Sequence, residues 1–162
     1  MKRYKWVIIL VNLILLLGYF NFSIFEKEKT LKNGQLVLLK LAPVDPRSLM
    51  QGDYMNLRYE ISEEVNAKGI SKRGYYVVKL NQHQVAEKVR LQKEQKPLNA
   101  GEFLIRYSTS DNRNVNMGAE SYFFQEGEAE KFDNAKYGGL KIDDKGNSVL
   151  IGLYNEKLKL IK

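Results

Sequence analysis

The chain has 162 residues, 26 Lys and Arg against 19 Asp and Glu, no cysteine and one histidine. That length suits a single domain, and the missing thiols exclude disulfides and thiolate metal sites. The net charge of +7 does not point to nucleic acid, because the basic residues are scattered among acids with no dense run interleaved with aromatics; a diffuse attraction to anionic lipid headgroups uses it more economically.

The N-terminus carries Lys2, Arg3 and Lys5, followed by a hydrophobic run over residues 6–25. A bilayer core about 30 Å thick takes roughly 20 helical residues to cross, so the run is just long enough. Asn21-Phe22-Ser23-Ile24-Phe25-Glu26-Lys27 contains no Ala-x-Ala pattern, which favours an uncleaved anchor over a signal peptide. The positive-inside rule keeps the basic tip in the cytoplasm and puts the C-terminal bulk outside it. Tyr4, Trp6, Tyr19 and Phe20 suit the two membrane interfaces. Asn12, inside the run, is a tolerated amide or a hydrogen-bonding contact to a partner helix.

Residues 26–34 read as a polar juxtamembrane spacer closed by Asn33-Gly34, and residues 35–162 as one domain. Gln35-Leu36-Val37-Leu38-Leu39-Lys40-Leu41 is nearly continuous in apolar character and fits a strand buried on both faces. Asp45 is an N-cap, Pro46 suits the first helical position and Gly52 a stop, predicting one to two helical turns over 46–51. After Gly52 the period changes: Met55, Leu57, Tyr59 and Ile61 alternate with Tyr54, Asn56, Arg58 and Glu60, the pattern of a strand with one wet face.

Residues 75–80 and 84–89 flank Asn81-Gln82-His83 as a hairpin, which leaves His83 a solvated loop residue. As His83 is the only histidine, a Ser-His-Asp triad or a histidine-based metal site is nearly excluded. A further strand is expected over 102–107. Residues 128–137 read as a helix, with an approximate stripe of Ala129, Phe132 and Ala135 and a stop at Gly138-Gly139. Residues 140–143 and 148–154 flank the turn Asp144-Lys145-Gly146-Asn147 as a second hairpin, and 157–161 suits a last edge strand. The expected fold is α+β and mostly β: an N-terminal transmembrane helix, then a strand-rich domain, a curved sheet or small barrel, with one or two short helices.

Gly52-Asp53-Tyr54, Leu57 and Tyr59 spell Gly-Asp-Tyr-x-x-Leu-x-Tyr. With Pro43-Val44-Asp45-Pro46-Arg47-Ser48-Leu49 before it, this block resembles the core of the GDYXXLXY family of bacterial membrane-anchored proteins, named for a string and not for a reaction. A second block, Gly118-Ala119-Glu120-Ser121-Tyr122-Phe123-Phe124-Gln125-Glu126-Gly127-Glu128, resembles the family's C-terminal half, with Ala119 and Gln125 as mild variations. Gly146 and Gly152-Leu153 also fit, so the likeness covers most of 36–154. It implies an anchor plus an extracytoplasmic domain that accompanies a polytopic membrane protein.

The polar and aromatic residues of the two blocks, Arg47, Asp53, Tyr54, Arg58, Glu120, Tyr122 and Glu126, are the candidate binding residues. Two carboxylates and an arginine suit acid-base work or the grip of a charged ligand. They equally suit a brace in which Arg47 pairs with Glu120 or Glu126, and Asp53 caps the turn after Gly52. Tyr54 and Tyr122 fit core packing or the lining of a groove. An enzymatic alternative is an envelope hydrolase using Ser48 with Lys79, in the manner of signal peptidases, or paired carboxylates at Glu120 and Glu126; here Leu49 stands where a methionine would follow such a serine. No phosphate loop, Ca²⁺ loop or Rossmann glycine pattern is present, and no cofactor or metal is expected. The reading that results is a membrane-anchored accessory module whose partners are the bilayer, through residues 6–25, and an integral membrane protein, not nucleic acid.

Overall fold

A computed structural model describes residues 2–42, 54–63, 70–109, 115–125 and 127–161, with Tyr54 described through its backbone. The helix expected over 46–51 and the turn around 111–114 lie outside the described residues. Helix α1 (Lys2–Asn33) runs unbroken through the apolar stretch and the polar one that follows. Its 32 residues span about 48 Å at 1.5 Å per residue, well beyond the roughly 30 Å of a bilayer core. From Tyr4 to Phe22 its side chains are exposed all round. The first shielded ones are Ser23, Glu26 and Thr30, which fall on one face at helical spacing.

A single residue, Gly34, connects α1 to strand β1 (Gln35–Lys40). The Gly34 N–H donates to the Thr30 carbonyl at 2.8 Å, the Thr30 hydroxyl to the Glu26 carbonyl at 3.1 Å, and Lys141 Nζ to the Gly34 carbonyl at 2.8 Å. A Cβ on Gly34 would lie 2.8 Å from the Ile142 carbonyl oxygen. The hand-off from helix to sheet is therefore tight, held by one backbone hydrogen bond and two from side chains.

Three antiparallel sheets follow. In chain order the remaining elements are β2 (Tyr54–Asn56), α2 (Glu60–Glu63), β3 (Arg73–Leu80), β4 (Ala86–Gln92), β5 (Glu102–Thr109), β6 (Val115–Asn116), β7 (Ser121–Phe123), β8 (Ala135–Ile142) and β9 (Ser148–Asn155). They assemble as β1-β8-β9, β2-β7 and β4-β3-β5-β6. All three are open, so of the two forms expected the molecule takes open sheets and no closed barrel. A bridge between Leu38 and Val85, with the Leu38 N–H donating to the Gln84 carbonyl at 2.9 Å, joins the first sheet to the third.

The core lies between them. Val37 and Leu39 of β1, Tyr76 and Val78 of β3, Ile105 and Tyr107 of β5, Leu140 of β8 and Leu153 of β9 are all buried. Strand β1 is buried on both faces at Val37, Leu38 and Leu39, as its unbroken apolar run predicts. Tyr75, Val77 and Leu104 form a smaller cluster on the opposite face of the four-stranded sheet, beneath the β8–β9 turn, where the Arg106 N–H donates to the Gly146 carbonyl at 2.8 Å.

One device closes three reversals. Asn81 Oδ1 accepts from the backbone N–H of His83 and Val85, Asp143 Oδ1 from Lys145 and Asn147, and Asn155 Oδ1 from Lys157 and Lys159. Each side chain thus stands in for a backbone acceptor at the second and fourth residues on, which is why Asx residues govern such turns. Both expected hairpins form, and His83 is exposed in its loop.

Three expectations need correction. Residues 128–137 do not form a helix: a single 3₁₀ turn (Ala129–Phe132) leads directly into β8. Gly138 and Gly139, expected as a helix stop, are strand positions where tyrosine rings cross the backbone. A Cβ on Gly138 would lie 2.9 Å from Tyr59 Cε1, and one on Gly139 would overlap the Tyr154 ring. The strand expected over 55–61 ends at Asn56 and gives way to α2, although burial still alternates, with Leu57, Tyr59 and Ile61 inside and Asn56 and Arg58 outside. The last edge strand shrinks to one bridge between Tyr154 and Leu160, because Leu158 takes a left-handed backbone (φ 56°) that breaks the extended run.

Candidate functional site

The two sequence blocks meet in the ribbon β2–β7. Tyr54, Met55 and Asn56 pair with Phe123, Tyr122 and Ser121. The pairing continues past the strand end, where the Leu57 N–H donates to the Glu120 carbonyl at 2.6 Å. Two residues on, the buried Tyr59 hydroxyl donates to the Ala119 carbonyl at 2.5 Å while its ring lies across Gly138. Tyr59 also bridges to Leu41, one residue past β1, and the Ala42 N–H donates to the Arg58 carbonyl at 2.8 Å. Burial raises the Tyr59 hydroxyl pKa, and the neighbouring Glu120 carboxylate raises it further, so this hydroxyl stays protonated and donating.

The candidate residues are distributed as follows. Tyr54 and Tyr122 lie on paired strands; Tyr122 packs edge-on against Phe132 at 5.1 Å between ring centres, and Phe124 contacts the same ring at 5.4 Å. A Glu120 carboxylate oxygen accepts the Met117 N–H, which closes the loop before β7. Arg58 is exposed and forms no ion pair with a described residue. Arg47, Asp53 and Glu126 lie outside the described residues, as does Ser48, while Lys79 is exposed on β3. Tyr54, Arg58, Glu120 and Tyr122 therefore share one region, which works as a brace: the last two letters of the motif, Leu57 and Tyr59, are each 1% exposed and tie the ribbon to the core. Phe123 is the outward residue of this ribbon, at 73% exposure.

A second region was not foreseen from sequence. Between α1 and the outer face of β3 and β5 lies a cleft of about 780 Å³. Arg73 and Arg106 stand on the same face of adjacent strands, since Arg73 pairs with Ser108 and Tyr75 with Arg106. Arg106 is oriented over the Tyr75 ring at 5.8 Å, donates to the Tyr75 hydroxyl at 3.4 Å and to Asn147 Oδ1 at 3.3 Å. The guanidinium's hydrogen bond lowers the Tyr75 hydroxyl pKa. Lys93 lines the same cleft, at the end of β4. No local motif announces this grouping; only the register of β3 against β5 places Arg73 beside Arg106.

Elsewhere the strongest ion pair is structural. Buried Glu102 receives both terminal nitrogens of Arg90 at 2.8 Å, together with the Asn99 N–H at 3.0 Å and Asn99 Nδ2 at 3.1 Å. Arg90, then Asn99, hold the Glu102 carboxyl well below its usual range, at about 2. This network fastens the connection between β4 and β5.

The geometry defines a class: an open antiparallel β domain carried, through a stiff one-residue junction, on a helix long and apolar enough to cross a membrane. The sequence profile described as GDYXXLXY protein matches residues 16–153. The chain belongs to that family. No curated protein and no solved structure matches it.

Proposed function

We propose that the chain is an extracytoplasmic accessory module, anchored by residues 6–25 with its N-terminus in the cytoplasm, that assembles with an integral membrane protein. One observation carries this reading: α1 passes into β1 through Gly34 alone, with Thr30 buried and three hydrogen bonds around the joint. A domain on a flexible tether samples many heights and orientations, and each must be lost on binding. This domain is held at a fixed height beside its helix, which suits lateral contact with a protein in the same bilayer. The β2–β7 ribbon offers the contact surface, with Phe123 outward and Arg58 nearby.

The test is photocrosslinking in membranes. A photoreactive residue replacing Phe123 should capture a polytopic membrane protein, and one replacing exposed Lys157 should not. Recovery of the chain alone from mild detergent, with identical labelling at both positions, would contradict the reading.

A further inference from the structure

The cleft under α1 has more positive charge than the fold neutralises. Lys27, Arg73, Lys93 and Arg106 line it against two carboxylates, Glu26 and Asp143. Asp143 is already engaged, with Oδ1 accepting two backbone N–H groups and Oδ2 accepting Asn147 Nδ2 at 2.8 Å. Among the described residues Arg73, Lys93 and Arg106 form no ion pair. Arg106 is nonetheless held in place by Tyr75 and Asn147, the preorganisation that an anion site needs.

The helix side of the cleft is different in kind. Tyr19 and Phe22 come from the last two turns of the apolar run, at the depth where acyl chains give way to headgroups if residues 6–25 span the bilayer. An amphipathic cleft at that depth, with aromatics on one wall and cations on the other, has phospholipid as its obligatory neighbour. A volume of about 780 Å³ lies in the range of small-molecule sites.

We infer that this cleft holds the phosphate of an anionic phospholipid of the outer leaflet, gripped by Arg73, Lys93 and Arg106, with Tyr19 and Phe22 against its glycerol and upper acyl chain. The inference rests on the anchor and orientation proposed above. It names a lipid site beside the domain and is independent of which protein the β2–β7 ribbon contacts.

The test uses the full chain in nanodiscs of phosphatidylcholine with phosphatidylglycerol, followed by mild detergent and native mass spectrometry of retained lipid. Each basic residue near an anionic surface is worth roughly fivefold in partitioning, so R73Q/K93Q/R106Q should lower phosphatidylglycerol retention by about a hundredfold. R73Q/K93Q, which leaves the Arg106–Tyr75 contact intact, should lower it by roughly 25-fold. The charge-matched K136Q/K157Q/K159Q should retain lipid as the parent does. Equal retention in all four proteins, as would follow if an acidic protein segment filled the cleft, overturns the inference. So does displacement of the lipid by millimolar inorganic phosphate, which would mark a free-phosphate site. Alkaline extraction of the chain from vesicles reports separately on the anchor: an extractable chain removes the anchor reading and this inference together, whereas an anchored chain without lipid preference removes this inference alone.

Discussion

The β2–β7 ribbon and the cleft under α1 treat their polar groups in opposite ways. In the ribbon, the Tyr59 hydroxyl, the Leu57 N–H, the Glu120 carboxylate and the Ala119 carbonyl are all satisfied inside the fold. In the cleft, three cations stand exposed without a carboxylate partner among the described residues. The described residues of the string for which the family is named, Tyr54, Leu57 and Tyr59, lie in or just after β2, and none of them lines the cleft. A sequence signature can thus mark the joint that makes a fold possible, while binding capacity sits on a surface assembled by strand register.

The largest loss of stability falls at the centre of the brace. Leu57→Ala empties a fully buried site and should cost about 2–5 kcal/mol, measured by thermal unfolding of the full chain in detergent. Tyr59→Phe keeps the ring across Gly138 but strips the Ala119 carbonyl of its donor, for a loss of about 1–3 kcal/mol. Gly34→Ala attacks the joint between the regions: a methyl group facing the Ile142 carbonyl should cost about 1–3 kcal/mol and widen the distance distribution between spin labels on α1 and the β8–β9 turn.

Acid bears on a third place, the Arg90–Glu102 pair between β4 and β5. The Glu102 pKa is depressed to about 2 in the fold against an ordinary 4.5, so its contribution is complete above about pH 4.5 and is lost as pH falls toward 2. The melting temperature should fall across that window, and Glu102→Gln should start lower and show a shallower slope there. The smallest effect belongs to the cleft: Lys93→Gln should change stability by no more than about 0.5 kcal/mol, as for other exposed charges away from packing.

Much of this architecture is legible in the chain. The both-faces burial of β1 follows from an unbroken apolar run, and the two hairpins follow from the turns Asn81-Gln82-His83 and Asp144-Lys145-Gly146-Asn147, although the side chain that closes the second is Asp143, one residue earlier. The role of the motif as a brace is readable from Leu57 and Tyr59 falling on one side of a period-two pattern. The stretch 128–137 misleads because Gly138-Gly139 resembles a helix stop locally, and its meaning depends on two rings, Tyr59 from the segment after β2 and Tyr154 from the neighbouring strand β9. Of the candidate residues, Glu120 and Tyr122 lie side by side along the chain at β7, where the Glu120 carboxylate accepts the Met117 N–H and the Tyr122 ring packs on Phe132. Arg73, Lys93 and Arg106 sit 20, 13 and 33 residues apart in every pairwise sense and share no motif, so nothing short of strand pairing reveals them.

If the signature holds the fold and the cleft holds a ligand, the melting temperature of the full chain in nanodiscs with and without phosphatidylglycerol separates the two roles. Tyr59→Phe should lower both values and preserve the gap between them, and R73Q/K93Q/R106Q should leave the phosphatidylcholine value near that of the parent and close the gap. A gap abolished by Tyr59→Phe, or one that survives loss of all three cations, would contradict the account.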